Sequence, residues 1–132
     1  MKKTLYNNLW NNRLLKNSNE IAIFEENLIE LTENFGEDDI IELCQILDDK
    51  TDDSEVMFGI IHLLETLSTK QAFINTVIGV VKMKSRSPEW AKIIIRRCLN
   101  AEYSAKMLKE IYAILDDEIR IEFSKLLKEL YD

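Results

Sequence analysis

The stretch DDKTDDSEVMFGIIHLLE (48–65) holds four aspartates, two glutamates and the chain's only histidine. Its second half decides the fold class. After Asp53 and Ser54, Val56, Met57, Ile60, Ile61, Leu63, Leu64 and Leu67 recur at spacings that collect them on one arc of a helical wheel. A half-buried strand would alternate apolar and polar residues, and this stretch does not. The aspartates stand where carboxylates cap the free N–H groups of a helix start and favour its positive dipole end. The stretch therefore reads as a solvated acidic loop opening an amphipathic helix.

The same spacing recurs outward in both directions, and its interruptions fall at helix caps. It predicts a first helix over roughly Lys3–Leu15. A second begins after Asn17, with Glu20 completing a capping box, and stops at Gly36 as a left-handed terminal residue. A third covers about Asp38–Leu47 and buries Ile40, Ile41, Leu43, Cys44 and Leu47. The fourth runs about Ser54–Leu67, and a fifth, capped by Ser68 or Thr69, runs to about Lys84. Ser87 as N-cap and Pro88 at the first helical position open the sixth, which ends near Asn100. The seventh and eighth cover about Glu102–Leu115 and Asp117–Tyr131.

Three glycines and one proline in 132 residues suit short helix-to-helix loops better than the turns a strand-rich fold needs about every 8–12 positions. The expectation is an all-α single domain over residues 1–132. About eight short helices would stack as antiparallel hairpins, in a HEAT-like α-solenoid or a compact bundle. No repeat at a fixed period is present.

Composition excludes several function classes. Hydrophobic residues make up 46% and charged residues 31%, a globular balance. The net charge of −7 repels a phosphate backbone, and the best basic patch, KMKSR (82–86) with Arg96 and Arg97, lacks interleaved aromatics. Direct nucleic-acid binding is not expected; a basic protein partner is. AFINTVIGVV (72–81) falls short of the ~20 residues that span a bilayer. The N-terminus MKKTLYNNLWNNR has no continuous apolar core of a signal peptide, so a cytoplasmic location is expected, with no membrane contact. Cys44 and Cys98 stand apart on apolar faces and read as buried free thiols.

The acidic stretch does not carry metal or acid–base chemistry. A metal site needs at least three convergent ligands, and there is no second histidine. As an EF-hand starting at Asp49, the loop has Thr51 as its third ligand, Ser54 in place of the invariant glycine and Ile60 in place of the terminal glutamate. His62 and Glu65 share a helix face, but no nucleophile, oxyanion donor or glycine-rich loop accompanies them. No cofactor motif or catalytic signature occurs, so neither a cofactor nor an enzyme is expected. His62 and Phe58 are i, i+4 neighbours facing away from the helix's core side. Together with Asp48, Asp49, Asp52, Asp53 and Glu55 they form a candidate protein-contact patch.

In SPEWAKIIIRRCLN (87–100) an apolar arc of Trp90, Ala91, Ile93, Ile94, Ile95 and Cys98 takes in Arg97 at its edge. A guanidinium there needs a partner, and Glu65 supplies one if the fourth and sixth helices are neighbours. The stripes Tyr103–Met107–Ile111 and Phe123–Leu127–Tyr131 read as core.

EVMFGIIHLLE (55–65) followed by SPEWAKIIIRRCLN resembles the immunity protein 30 family of bacterial polymorphic-toxin systems. The matching features are His62 and Glu65, then Pro88, Glu89, Trp90, Ala91, Arg97, Leu99 and Asn100, and the resemblance spans about residues 37–130. It implies a cytoplasmic immunity protein that binds and blocks a cognate toxin domain, with a basic nuclease the expected toxin. It makes Glu65, Trp90, Arg97 and Asn100 motif residues. Without it, the residues would equally suit a helical scaffold or adaptor for another partner.

Overall fold

Side-chain caps begin three of the helices where the sequence places them. Asn17 Oδ1 accepts the Glu20 N–H at 2.9 Å, Asp53 Oδ1 the Val56 N–H at 3.1 Å, and Thr69 Oγ1 the Ala72 N–H at 3.1 Å. A computed structural model describes residues 2–131. Among these it contains α1 (Lys2–Asn11), α2 (Ser18–Thr32), α3 (Ile40–Cys44), α4 (Ser54–Leu64), α5 (Lys70–Met83), α6 (Pro88–Asn100), α7 (Glu102–Tyr112) and α8 (Asp117–Tyr131). A 3-10 turn, Glu37–Asp39, precedes α3, and the described residues include no strand. The all-α reading holds.

The apolar faces close around α5. Its residues Ala72, Phe73, Val77, Val80 and Met83 are buried, and α3, α6, α7 and α8 all pack on it. On one side α1 and α2 form an antiparallel pair: Lys2 Nζ reaches Asn34 O at 2.7 Å, and Asn8 Nδ2 donates to Asn27 Oδ1 at 3.0 Å. Asp39 ties this pair to the 3-10 turn. Its carboxylate accepts from Lys2 Nζ at 2.7 Å, Tyr6 Oη at 3.0 Å and the Gly36 N–H at 2.8 Å. Burial pushes the Asp39 carboxyl up, but these three donors outweigh it and hold the group below the usual carboxylate range. The Tyr6 hydroxyl is driven upward by its burial and by the same carboxylate.

The α3–α5 crossing depends on Gly79. A Cβ there would lie 2.7 Å from Cys44 Sγ, 3.0 Å from Cys44 Cβ and 3.3 Å from the Ile41 Cα. In an exposed helix, Gly→Ala would gain up to about 1 kcal/mol. Here overpacking outweighs it, and Gly79→Ala should destabilise by about 1–2 kcal/mol. Urea midpoints check this, and combining it with Cys44→Ala should cost less than the two single changes summed.

Several sequence expectations are corrected. Gly36 is extended (φ −136°) because its N–H turns to the Asp39 carboxylate, and α2 has already ended at Thr32. The left-handed residue is Leu15 (φ 51°), 2% exposed, whose burial holds the turn between α1 and α2. The helix expected over Asp38–Leu47 is only the 3-10 turn and α3, since Ile46 and Leu47 already lie in the chain leading to the acidic loop. Tyr103 and Tyr131 leave the core, 58% and 77% exposed, while Ile111 and Phe123 of the same stripes are buried. Cys44 is fully buried but Cys98 only half, and both are free. Burial lifts the Cys44 thiol to about 12 and the Cys98 thiol to about 11.

Candidate functional site

The acidic loop is mostly a clamp and not a solvated surface. Asp48 is 5% exposed. Its carboxylate accepts from Arg13 Nε at 2.9 Å and the Lys50 N–H at 2.9 Å, with Arg86 Nη1 at 3.5 Å. Its carbonyl accepts the Trp90 indole N–H at 3.0 Å. Arg13 also lies over the Trp10 ring, 3.6 Å from its centroid, and donates to Trp10 O. Arg86 reaches the carbonyls of Leu47 and Gln45. One carboxylate thus joins α1, the loop and the α5–α6 turn.

Asp49 caps α6 from forty residues upstream in the chain, accepting the N–H groups of Glu89 at 3.0 Å and Trp90 at 3.1 Å. Ser87, expected to be that cap, donates its hydroxyl to Leu47 O at 2.9 Å instead. The reason is tertiary: the packed loop carries a full charge to the helix end, and a charge-assisted bond displaces a neutral one. Asp53 caps α4. Of the loop aspartates only Asp52 leaves its carboxylate exposed and without a bond among the described residues, its N–H bonding Leu14 O at 2.9 Å.

On α4, Glu55 and His62 are exposed, as the wheel places His62. Phe58 is half-buried because its ring packs edge-on against Trp90, centroids 5.2 Å apart, with His62 beyond it at 6.1 Å. Glu65 and Arg97 do pair, in a fork at 2.7 and 2.8 Å. The bond from Arg97 holds the Glu65 carboxyl below its ordinary range, against burial and assisted by the Arg97 and His62 charges. The pair is not buried, however: the side chains are 42% and 41% exposed, so it contributes about 1 kcal/mol at most. Asn100 ends α6, exposed. The basic patch is largely spent on neighbours, Lys84 pairing with Glu122 at 2.9 Å and Arg86 and Arg97 held as above. Among the described residues no three His, Cys, Asp or Glu side chains converge to hold a metal, and no helix is long and apolar enough to cross a membrane.

The densest charge lies elsewhere. Residues 17–49 contain eleven acidic residues and no lysine or arginine, while the rest of the chain holds thirteen acidic and seventeen basic ones. The segment carries −11 and the remainder +4. Helical spacing puts Glu25, Glu26 and Glu30 of α2, with Glu33 at its C-cap, in solvent around Ile29, which is 67% exposed. None of the four makes an ion pair within 4.0 Å among the described residues. The charge counted by window marks this face in the sequence, although it carries none of the motif residues.

The family model described as Immunity protein 30 matches residues 11–108. That span takes in α2, which the sequence resemblance left out, and ends inside α7. The chain has no significant match among curated proteins or among solved structures. The match covers the clamp, the Glu65–Arg97 fork and the Trp90 helix together, and the chain belongs to the immunity protein 30 family.

Proposed function

We propose that this protein neutralises a cognate toxin domain in the cytoplasm by binding it stoichiometrically, without catalysis. The observation that carries the reading is the separation of charge, with −11 over residues 17–49 and its exposed part on the outer face of α2. Such a face steers a basic partner into rapid encounter, and a toxin must be captured before it acts. A basic nuclease domain fits best.

The interface is centred on Glu25, Glu26, Ile29, Glu30 and Glu33. The adjoining helix α4 adds Glu55, His62 and the edge of Phe58, with Asp52 beside them. Asp48, Asp49 and Asp53 support this surface from beneath, because their carboxylates are held by the protein's own donors. Glu65, Trp90 and Arg97 hold α4 against α6.

The test is co-expression with the C-terminal domain encoded immediately upstream, followed by pulldown of the pair. The expected result is rescue of a host poisoned by that domain and capture at nanomolar affinity. Neither rescue nor capture would leave a helical protein serving some other partner.

A further inference from the structure

A cleft of about 510 Å³ opens between α4, α5, α6 and α7. Its floor is apolar, built from Ile61, Leu64, Phe73 and Ile94, and its rim carries Glu65, Arg97, Asn100 and Tyr103. We infer that this cleft is the socket for one aromatic side chain of the toxin domain, an inference that rests on the toxin-binding reading above.

Size and electrostatics define the occupant. The volume lies in the roughly 300–1,000 Å³ range of small-ligand sites, so it admits one aromatic ring with room to spare. The charges at the rim, Glu65 and Arg97, satisfy each other in their two-bond fork. A charged ligand would find no free counter-charge there. The Ser104 hydroxyl, also on the lining, is committed to Cys98 O at 2.6 Å. What remains is an apolar floor with an aromatic wall.

Tyr103 is that wall. Its hydroxyl donates to Ser68 O at 3.0 Å, which holds the ring upright at the rim although it is largely exposed. Its centroid lies 6.2 Å from that of Phe73, planes inclined by 60°. A third ring entering beside them would meet edge-to-face partners.

The socket also continues the proposed interface. Glu55, Phe58, His62 and Glu65 follow one outer stripe of α4 at spacings of three, four and three, and the stripe ends at the rim with Glu65. An anchor in a pocket ringed by polar contacts is how interfaces concentrate their affinity. A second copy is the weaker occupant, since each chain carries −7 and like copies repel whereas a basic domain is drawn in.

The experiment uses the full chain and the upstream-encoded toxin domain. Asn100→Trp, at an exposed rim position, should weaken binding about tenfold or more with the melting temperature unchanged. Ser68→Trp on the facing rim should do the same, should the first variant fold poorly. In the unmodified protein, alkylation of Cys98 on the cleft wall by N-ethylmaleimide should slow in the complex, Cys44 being fully buried throughout. Full-affinity binding by both folded variants with Cys98 unprotected would overturn the socket and leave toxin binding standing. No complex with the unmodified chain would overturn both. A free protein that is dimeric, and monomeric as Asn100→Trp, would give the socket to a second copy and overturn the assignment.

Discussion

Asp48→Ala should lower the melting temperature by about 10 °C, the largest effect expected of any loop residue. Asp48 looks like one of four interchangeable acids in DDKTDD, yet it is the one the arginines close upon. Its removal strips a charge-assisted acceptor from Arg13 Nε and the partner of the Lys50 N–H, and leaves Arg86 facing a void. Removing one member of a fully buried ion pair costs about 3–5 kcal/mol. Here the arginines stay partly wet and keep bonds to Trp10 O, Leu47 O and Gln45 O, which places the loss near the bottom of that range, about 3 kcal/mol. Asp52→Ala, four residues along the loop and with an exposed carboxylate that makes no bond among the described residues, should change stability by less than about 0.5 kcal/mol. Thermal denaturation of the two variants side by side decides the matter. Equal melting temperatures would mean that Asp48 is no clamp.

Reversing Glu25, Glu26, Glu30 and Glu33 to lysine should slow association with a basic toxin domain by about 10–100-fold at low salt. The substitutions move the net charge from −7 to +1 and invert the acidic face proposed to meet the toxin. Dissociation should change less, because exposed rim charges act mainly on encounter. The gap between variant and unmodified protein should close as salt rises and the screening length falls to a few ångströms. Stopped-flow association at several ionic strengths reads both effects. The variant should fold, since these four side chains are exposed and make no ion pair among the described residues. Unchanged association would move the interface off α2.

Much of the fold was legible because local rules and tertiary packing agree. Asn17, Asp53 and Thr69 cap where polar residues precede apolar periodicity, and the wheel of 54–67 correctly turned His62 outward and Met57, Ile60 and Ile61 inward. The Glu65–Arg97 pair followed from the same geometry, helix face against helix face. Helix ends were less legible. Gly36 has the freedom to be left-handed, but a carboxylate three residues on offered its N–H a better partner in an extended conformation. The two tyrosines counted as core sit at helical spacing from buried residues, yet each falls on the margin of its helix's contact and stays wet.

The acidic loop shows where such reasoning stops. Four aspartates in six positions are the same residue locally; what separates Asp48 and Asp49 from Asp52 is the arrival of Arg13, Arg86 and the free N–H groups of α6 from thirty to forty residues away. By itself the sequence determined the helical class, most of the caps and the charge carried by each segment, because these depend on neighbours within a turn or two or on composition alone. Only the tertiary structure decided which carboxylates are spent on the fold and which stay in solvent, and it alone opened a cleft beside the Glu65–Arg97 fork. Both depend on groups distant in the chain meeting in space, where burial and pairing change what a side chain is free to do.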